Sequence, residues 1–450
     1  MRAFGRVGLG RLSDGLVHYA QVLRRFPAGQ IKEILFDKYD PGYRWRRRFA
    51  VAQKHCKDPV VLVPSAYQNV SRMAAAYAEL LPAQAFLMVA TRRSAHQFGL
   101  PENFQTRDLA QYAKSEDFSA EIASLLQRWH KLRAESSSSQ VMRVLFQSGV
   151  LEGFGNWLRD GIHTREAWKE VLEREPVCGV LCGDDSNRYT RLPVLLAANR
   201  NIPTVDFHHG ALDGHYLLKN LPSDIYFAKS EMERDYLLRV CGLPAEKVVL
   251  APPAVGKSKA SVKREDSRRS IVLFSEPYES AGLRADEVYR ELLPALWKLA
   301  QESGRSLTIK LHPFESRWQR RRLVCSVLPK DAGRAVRIVD GMLTDELLAQ
   351  IWFGITVEST VVIDCLRQGI CCFLCGWMNM SPYEYAQQYM RFGVGELLRN
   401  TEEIREIPER LIAFHNRPST TVSSASIEPE VLRQWLTSGS QEPCDVRSAS

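Results

Sequence analysis

From Pro59 onward the sequence alternates short β-branched or otherwise apolar runs with stretches whose apolar residues recur at helical spacing, and this alternation restricts the chain to α/β architectures. Residues 60–63 and 86–89 read as strands, with a helix over 73–81 between them. Strands spaced by helices argue for a parallel sheet covered on both faces. Residues 119–175 read mostly as helix, with Ile122, Leu125, Leu126 and Trp129 on one face and a serine-rich break at 136–139. The alternation then resumes with strands at 179–182, 203–207 and 224–228 and a helix over 192–200.

Pro252 and Pro253 open a charged stretch without apolar periodicity that reads as a linker. A second α/β set follows it. Its strands are expected at 271–274, 306–311, 336–339, 353–356 and 371–375, separated by helices at 286–302, 316–327, 344–350 and 359–368. A length of 450 residues exceeds what one core usually serves, so two domains are expected. The boundaries read as an N-terminal domain over 1–255, a linker over 256–269, a C-terminal domain over 270–417 and a mostly flexible tail over 418–450, with one short helix at 431–436.

Hydrophobic residues make up 45% of the chain, which excludes a disordered or collagen-like protein. The formal net charge is +8, and residues 1–50 carry +7 of it, with 11 basic against 4 acidic side chains. The rest is close to neutral as a sum. Arg44, Arg46, Arg47 and Arg48, interleaved with Tyr43 and Trp45, suit nucleic acid, an anionic lipid surface or plain solvation of a basic helix; the lipid surface is the partner expected, without nucleic acid. Ten cysteines without the spacing of a stapled domain read as reduced, buried thiols. No apolar h-region follows Met1, and the most apolar stretch, 80–90, is shorter than a membrane span, so a cytoplasmic protein, peripheral at the inner membrane face, is expected.

Three constellations can carry chemistry. The strand at 203–207 runs into His208-His209-Gly210, placing near-neutral imidazoles at the strand's carboxyl end, where α/β proteins bind ligands. The strand at 306–311 ends in His312-Pro313, and proline stops the ladder there. Glu358-Ser359-Thr360 precedes a helix, where hydroxyls cap the turn and free N–H groups meet anions. Asp184 and Asp185 follow a strand and suit a base or a solvated loop. The Cys-x-x-Cys at Cys372 and Cys375 has no second pair at zinc spacing and reads as core. Neither a P-loop nor a dinucleotide-binding glycine motif is present.

These residues carry a family likeness. The run from Val180 to Gly210, ending in NIPTVDFHHG, together with IKLHP and VESTVVIDCLRQGICCFL, resembles bacterial surface and capsular polysaccharide glycosyltransferases of the GT-B fold, a broad group that includes polysialyltransferases and CDP-glycerol glycerophosphotransferases. The likeness spans about 177–415, and the order of its short motifs carries it. It implies an α/β fold of two Rossmann-like domains facing a cleft. It also implies a nucleotide-sugar donor, held by Lys310, His312, Pro313, Glu358, Ser359 and Thr360, and a glycan or lipid-linked acceptor. Catalysis would draw on His208 or His209, or on Asp184 or Asp185, which depart from the group's acidic-acidic-glycine pattern. No metal and no further cofactor is expected, since the activated donor is itself a substrate.

A CDP-polyol phosphotransferase, a nucleotide-sugar 2-epimerase sharing the two-domain plan, and a non-catalytic membrane- or polyanion-binding scaffold are the alternatives.

Overall fold

A computed structural model describes residues 55–91, 100–113, 117–135, 139–147, 154–183, 188–210, 212, 221–253, 269–278, 283–312, 315–341, 343–378, 385–416 and 426–438. The chain divides into two compact units, one of residues 1–209, 221–226 and 428–450, the other of 210–220 and 227–427. Arg44, Arg46, Arg47 and Arg48 lie outside the described residues, as do Asp184, Asp185, Pro313 and the expected linker apart from Arg269.

The first sheet is built from β1 (Val60–Ser65), β2 (Ala85–Ala90), β3 (Phe104–Asp108), β4 (Val177–Cys182), β5 (Thr204–Phe207), β6 (Ile225–Ala228) and β7 (Val248–Leu250), in the order β3-β2-β1-β4-β5-β6-β7. The pairs β1–β2, β2–β3, β1–β4 and β4–β5 are parallel. Every residue of β1 is buried. That is why its sequence is a continuous apolar run rather than an alternating one. Helices α1 (Gln68–Ala78), α2 (Ser119–Glu135), α3 (Gln140–Gln147), α4 (Phe154–Arg174) and α5 (Arg188–Ala198) belong to this unit. Trp168, Val171 and Leu172 of α4 join Val60, Leu62, Val180 and Cys182 in one core, and Trp168 Nε1 donates to the Tyr189 carbonyl at 2.7 Å.

The second sheet holds β8 (Ser270–Phe274), β9 (Ser306–Lys310), β10 (Arg337–Val339), β11 (Ile351–Thr356), β12 (Cys372–Cys375) and β13 (Glu396–Leu398), in the order β10-β9-β8-β11-β12-β13. All its pairings are parallel. Helix α6 (Ala285–Glu302) buries Val288, Tyr289, Leu292, Leu293 and Leu296 against Ile271, Leu273, Ile309 and Ile355. Cys371, Cys372 and Cys375 are buried in this unit, as the sequence implied, and burial pushes the Cys372 and Cys375 thiols well up. Further helices are α7 (Arg317–Val327), α8 (Lys330–Ala335) and α9 (Val361–Arg367).

The helix expected at 431–436 runs as α10 (Pro429–Thr437) and belongs to the first unit, with Leu432 and Leu436 fully buried. It approaches β4 so closely that a Cβ added at Gly179 would lie 1.7 Å from the Leu436 carbonyl oxygen. Gly179→Ala is therefore expected to displace α10 at a cost of about 1–3 kcal/mol. Hydrogen exchange would register this as faster exchange at 432–436, and unchanged protection there would refute it.

Among the described residues no helix is long and apolar enough to cross a membrane.

Candidate functional site

In an open parallel sheet, ligands bind beyond the carboxyl ends of the strands, at the point where the strand order reverses. In the second unit the chain leaves β8 toward β9 and β10 on one side, and toward β11, β12 and β13 on the other. The reversal lies between β8 and β11, whose pairing sets Leu273 opposite Ile355. Ser275 and Glu276 follow β8, His312 lies just past β9, and Val357 to Thr360 follow β11. Parallel pairing brings all of these to one edge.

Two carboxylates, those of half-buried Glu276 and buried Glu315, fix the loops there. Glu276 Oε1 accepts from the backbone N–H groups of Val357 at 2.9 Å and Glu358 at 3.1 Å, and from the Thr356 hydroxyl at 2.5 Å. Burial pushes the Glu276 carboxyl above its usual range, against the pull of that hydroxyl and of the N–H groups of Glu358, Val357 and Ser359. Glu315 accepts from the Ser275 hydroxyl, the Arg320 Nε and the His312 backbone N–H, each at 2.7 Å. The guanidinium of Arg320 lies 5.9 Å from the Tyr278 ring centroid and 5.6 Å from that of Tyr289. The loops after β9 and β11 are thus each tied to the loop after β8, which preorganises the edge.

His312, Glu358, Ser359 and Thr360 are half-buried and share this edge. The N–H groups expected to be free at the start of α9 are partly engaged: those of Val357 and Glu358 donate to Glu276, and that of Val361 to the Ser359 hydroxyl at 3.4 Å. Hydroxyls therefore remain the main groups this turn offers an anion, and Thr360 makes no side-chain cap bond. Lys310 sits differently. It is buried and donates to the carbonyls of Leu311 at 2.8 Å and Gly341 at 2.7 Å, and burial pulls its pKa down. The bond to Gly341 ties the end of β9 to the loop after β10.

The first unit has its own reversal between β1 and β4. Gly183 follows β4, and a Cβ there would come within 2.5 Å of the Phe207 ring and 2.6 Å of Val70. Its carbonyl lies 3.0 Å from His209 Nδ1. A carbonyl only accepts, so Nδ1 carries the proton of that bond and Nε2 holds the lone pair of the neutral ring. The His209 ring centroid is 4.8 Å from that of His208 and 6.5 Å from that of Tyr67. His208 is buried and His209 half-buried. Below them in β5, buried Asp206 accepts from the Ser223 hydroxyl at 2.8 Å.

Sequence reading passed over Glu276 and Glu315. A signal for Glu276 is present, since Ser275-Glu276-Pro277 ends a strand as His312-Pro313 does. Among the described residues no group of three or more His, Cys, Asp or Glu side chains is placed to hold a metal ion.

No protein-family profile matches the chain, and no curated protein matches it in sequence. Solved structures do match in fold. A Listeria monocytogenes protein assigned as a UDP-N-acetylglucosamine 2-epimerase aligns at a TM-score of 0.53 and 12% identity, over 84% of this chain and 95% of that one. The UDP-GlcNAc 2-epimerase of Neisseria meningitidis, bound to UDP-GlcNAc, aligns at 0.52 and 13%, over 84% and 99%. A calicheamicin glycosyltransferase aligns at 0.46 and 13%, over 84% and 94%. At such identities the likeness establishes architecture, and the chain has a GT-B-type α/β fold with two Rossmann-like parallel sheets.

Proposed function

We propose that the chain is a glycosyltransferase that moves a sugar from a nucleotide-activated donor to a surface-polysaccharide or lipid-linked glycan acceptor. The observation that carries this reading is the carboxyl edge of the second sheet, where His312, Glu358, Ser359 and Thr360 converge on loops pinned by Glu276 and Glu315. Transfer breaks the bond between the sugar's anomeric carbon and the donor diphosphate and forms one to an acceptor oxygen. The departing diphosphate gains charge, which His312 and the hydroxyls of Ser359 and Thr360 would stabilise without a metal or further cofactor. Glu358 is suited to a ribose or sugar hydroxyl. The acceptor hydroxyl must lose a proton, and His209, whose Nδ1 donates to the Gly183 carbonyl, is the residue of the first unit proposed to take it.

Binding is tested by thermal shift against CMP, CDP, UDP and GDP. His312→Ala and the double variant Ser359→Ala/Thr360→Val are each expected to weaken the best nucleotide about 10- to 100-fold, the loss of a hydrogen bond to a charged group. Unchanged affinity in both variants would remove the donor site from this edge.

A 2-epimerase is the second reading, favoured by the fold matches to epimerases at TM-scores above 0.5. Inverting C2 breaks its C–H bond. Incubating the UDP-sugar in deuterated water without acceptor separates the two: deuterium at C2 with an epimeric product favours the epimerase, whereas conversion that requires an acceptor favours transfer.

A further inference from the structure

The near-neutral sum of residues 51–450 hides a local concentration of charge: residues 317–337 carry seven basic side chains against one acidic. The structure folds this stretch into α7, α8 and the start of β10, an edge strand of the second sheet. Arg321 Nη1 holds the two helices together by donating to the carbonyls of Gly333 and Val336, both at 2.8 Å. Arg320 is buried against Glu315. The remaining five, Arg317, Arg322, Lys330, Arg334 and Arg337, are exposed. Among them stands Trp318, 61% exposed, with the Arg322 guanidinium 4.7 Å from its ring centroid. Arg317 meets Asp340 at 3.7 Å in an exposed pair that contributes little.

We propose that this surface docks the protein on an anionic phospholipid bilayer, with Trp318 seated at headgroup depth and the five cations meeting lipid phosphates. An exposed tryptophan has an apolar body and one N–H, the combination that partitions to the membrane interface. Clustered lysines and arginines beside it are attracted by the negative surface potential. A single-stranded nucleic acid would need a succession of aromatic platforms, and Trp318 is the one aromatic among the described residues of this stretch. The proposal is independent of the donor site, since none of these residues is assigned to it.

The test uses the full chain with Arg44, Arg46, Arg47 and Arg48 replaced by serine, so that the N-terminal cluster cannot mask the result. This parent is expected to co-sediment with phosphatidylcholine vesicles containing about 30% phosphatidylglycerol at about 0.05 M salt, and to release at about 0.3 M salt, as screening shortens. Adding Arg317→Ser, Arg322→Ser and Arg334→Ser should weaken partitioning about 100-fold, and Trp318→Ser alone about 10-fold, with melting temperature and nucleotide-induced shift unchanged. The proposal is overturned by a parent that ignores anionic vesicles, by equal binding to phosphatidylcholine alone, by variants that bind as the parent does, or by retention on duplex DNA or heparin without vesicle binding.

Discussion

Replacing His209 by alanine is expected to lower kcat about 10²- to 10⁴-fold while leaving the affinity for nucleotide diphosphate unchanged. The bond from Nδ1 to the Gly183 carbonyl fixes the ring and its tautomer. His208 is buried behind it, so His208→Ala should cost stability more than rate. A His209→Ala enzyme with full kcat would exclude this residue as the base. A parallel loss of nucleotide binding would give it a structural role instead. Gly183→Ala is a useful companion, because its Cβ would collide with Phe207 and Val70 and disturb the carbonyl that orients the ring.

The second large effect concerns the stability of the first unit. Glu175, fully buried, pairs with Arg107 at 2.5 Å and accepts from the Tyr112 hydroxyl at 2.7 Å and the Cys56 backbone N–H at 2.9 Å. Removing one partner of a buried pair leaves the other charge uncompensated, which costs about 3–5 kcal/mol. Glu175→Ala should therefore lower the melting temperature by roughly 10 °C. A change of only a degree or two would mean that the arginine finds water or another acceptor.

The pH dependence has a definite sign. Burial pushes the Glu175 carboxyl up, but the Cys56 N–H, the Tyr112 hydroxyl and Arg107 outweigh it, so the carboxyl is held below its ordinary value. A depressed carboxyl stabilises the fold above its unfolded pKa, and that stability is lost as pH falls toward the folded value. Acid unfolding monitored in wild type and Glu175→Ala should show a steeper loss for wild type over that range. The neighbouring Cys56 thiol is pushed up to about 11, chiefly by burial, which disfavours its thiolate.

Most strands that the sequence displayed are buried on both faces, while 336–339 is an edge strand made legible by Val336, Ile338 and Val339. Residues 60–63, 86–89, 179–182, 271–274 and 371–375 read as strands because burial on both faces demands a continuous apolar run. β3, with the sequence Phe-Gln-Thr-Arg-Asp, was not legible. It lies at the edge of its sheet and exposes Gln105 and Thr106, so its composition resembles that of a loop. The start of α1 at Gln68 lies ahead of the expected 73 because its first turn, Gln-Asn-Val-Ser, is mostly polar and shows no apolar periodicity.

Which residues stand at the carboxyl ends of strands is legible in the sequence, and so is the placement of His208, His209, His312, Glu358, Ser359 and Thr360 at sheet edges. That information is local, because periodicity within a few residues decides where a strand begins and stops. What each strand end meets emerges from the fold. Glu276 reaches Val357 across 81 positions, Ser275 reaches Glu315 across 40, and Arg107 reaches Glu175 across 68. Such partners follow from the order of strands in the sheet, and strand order is set by which faces pack together rather than by the residues adjacent in the chain. The same holds for exposure: the seven basic residues of 317–337 stand together in the sequence, but the fold buries Arg320 against Glu315 and leaves Arg317, Arg322, Lys330, Arg334 and Arg337 exposed.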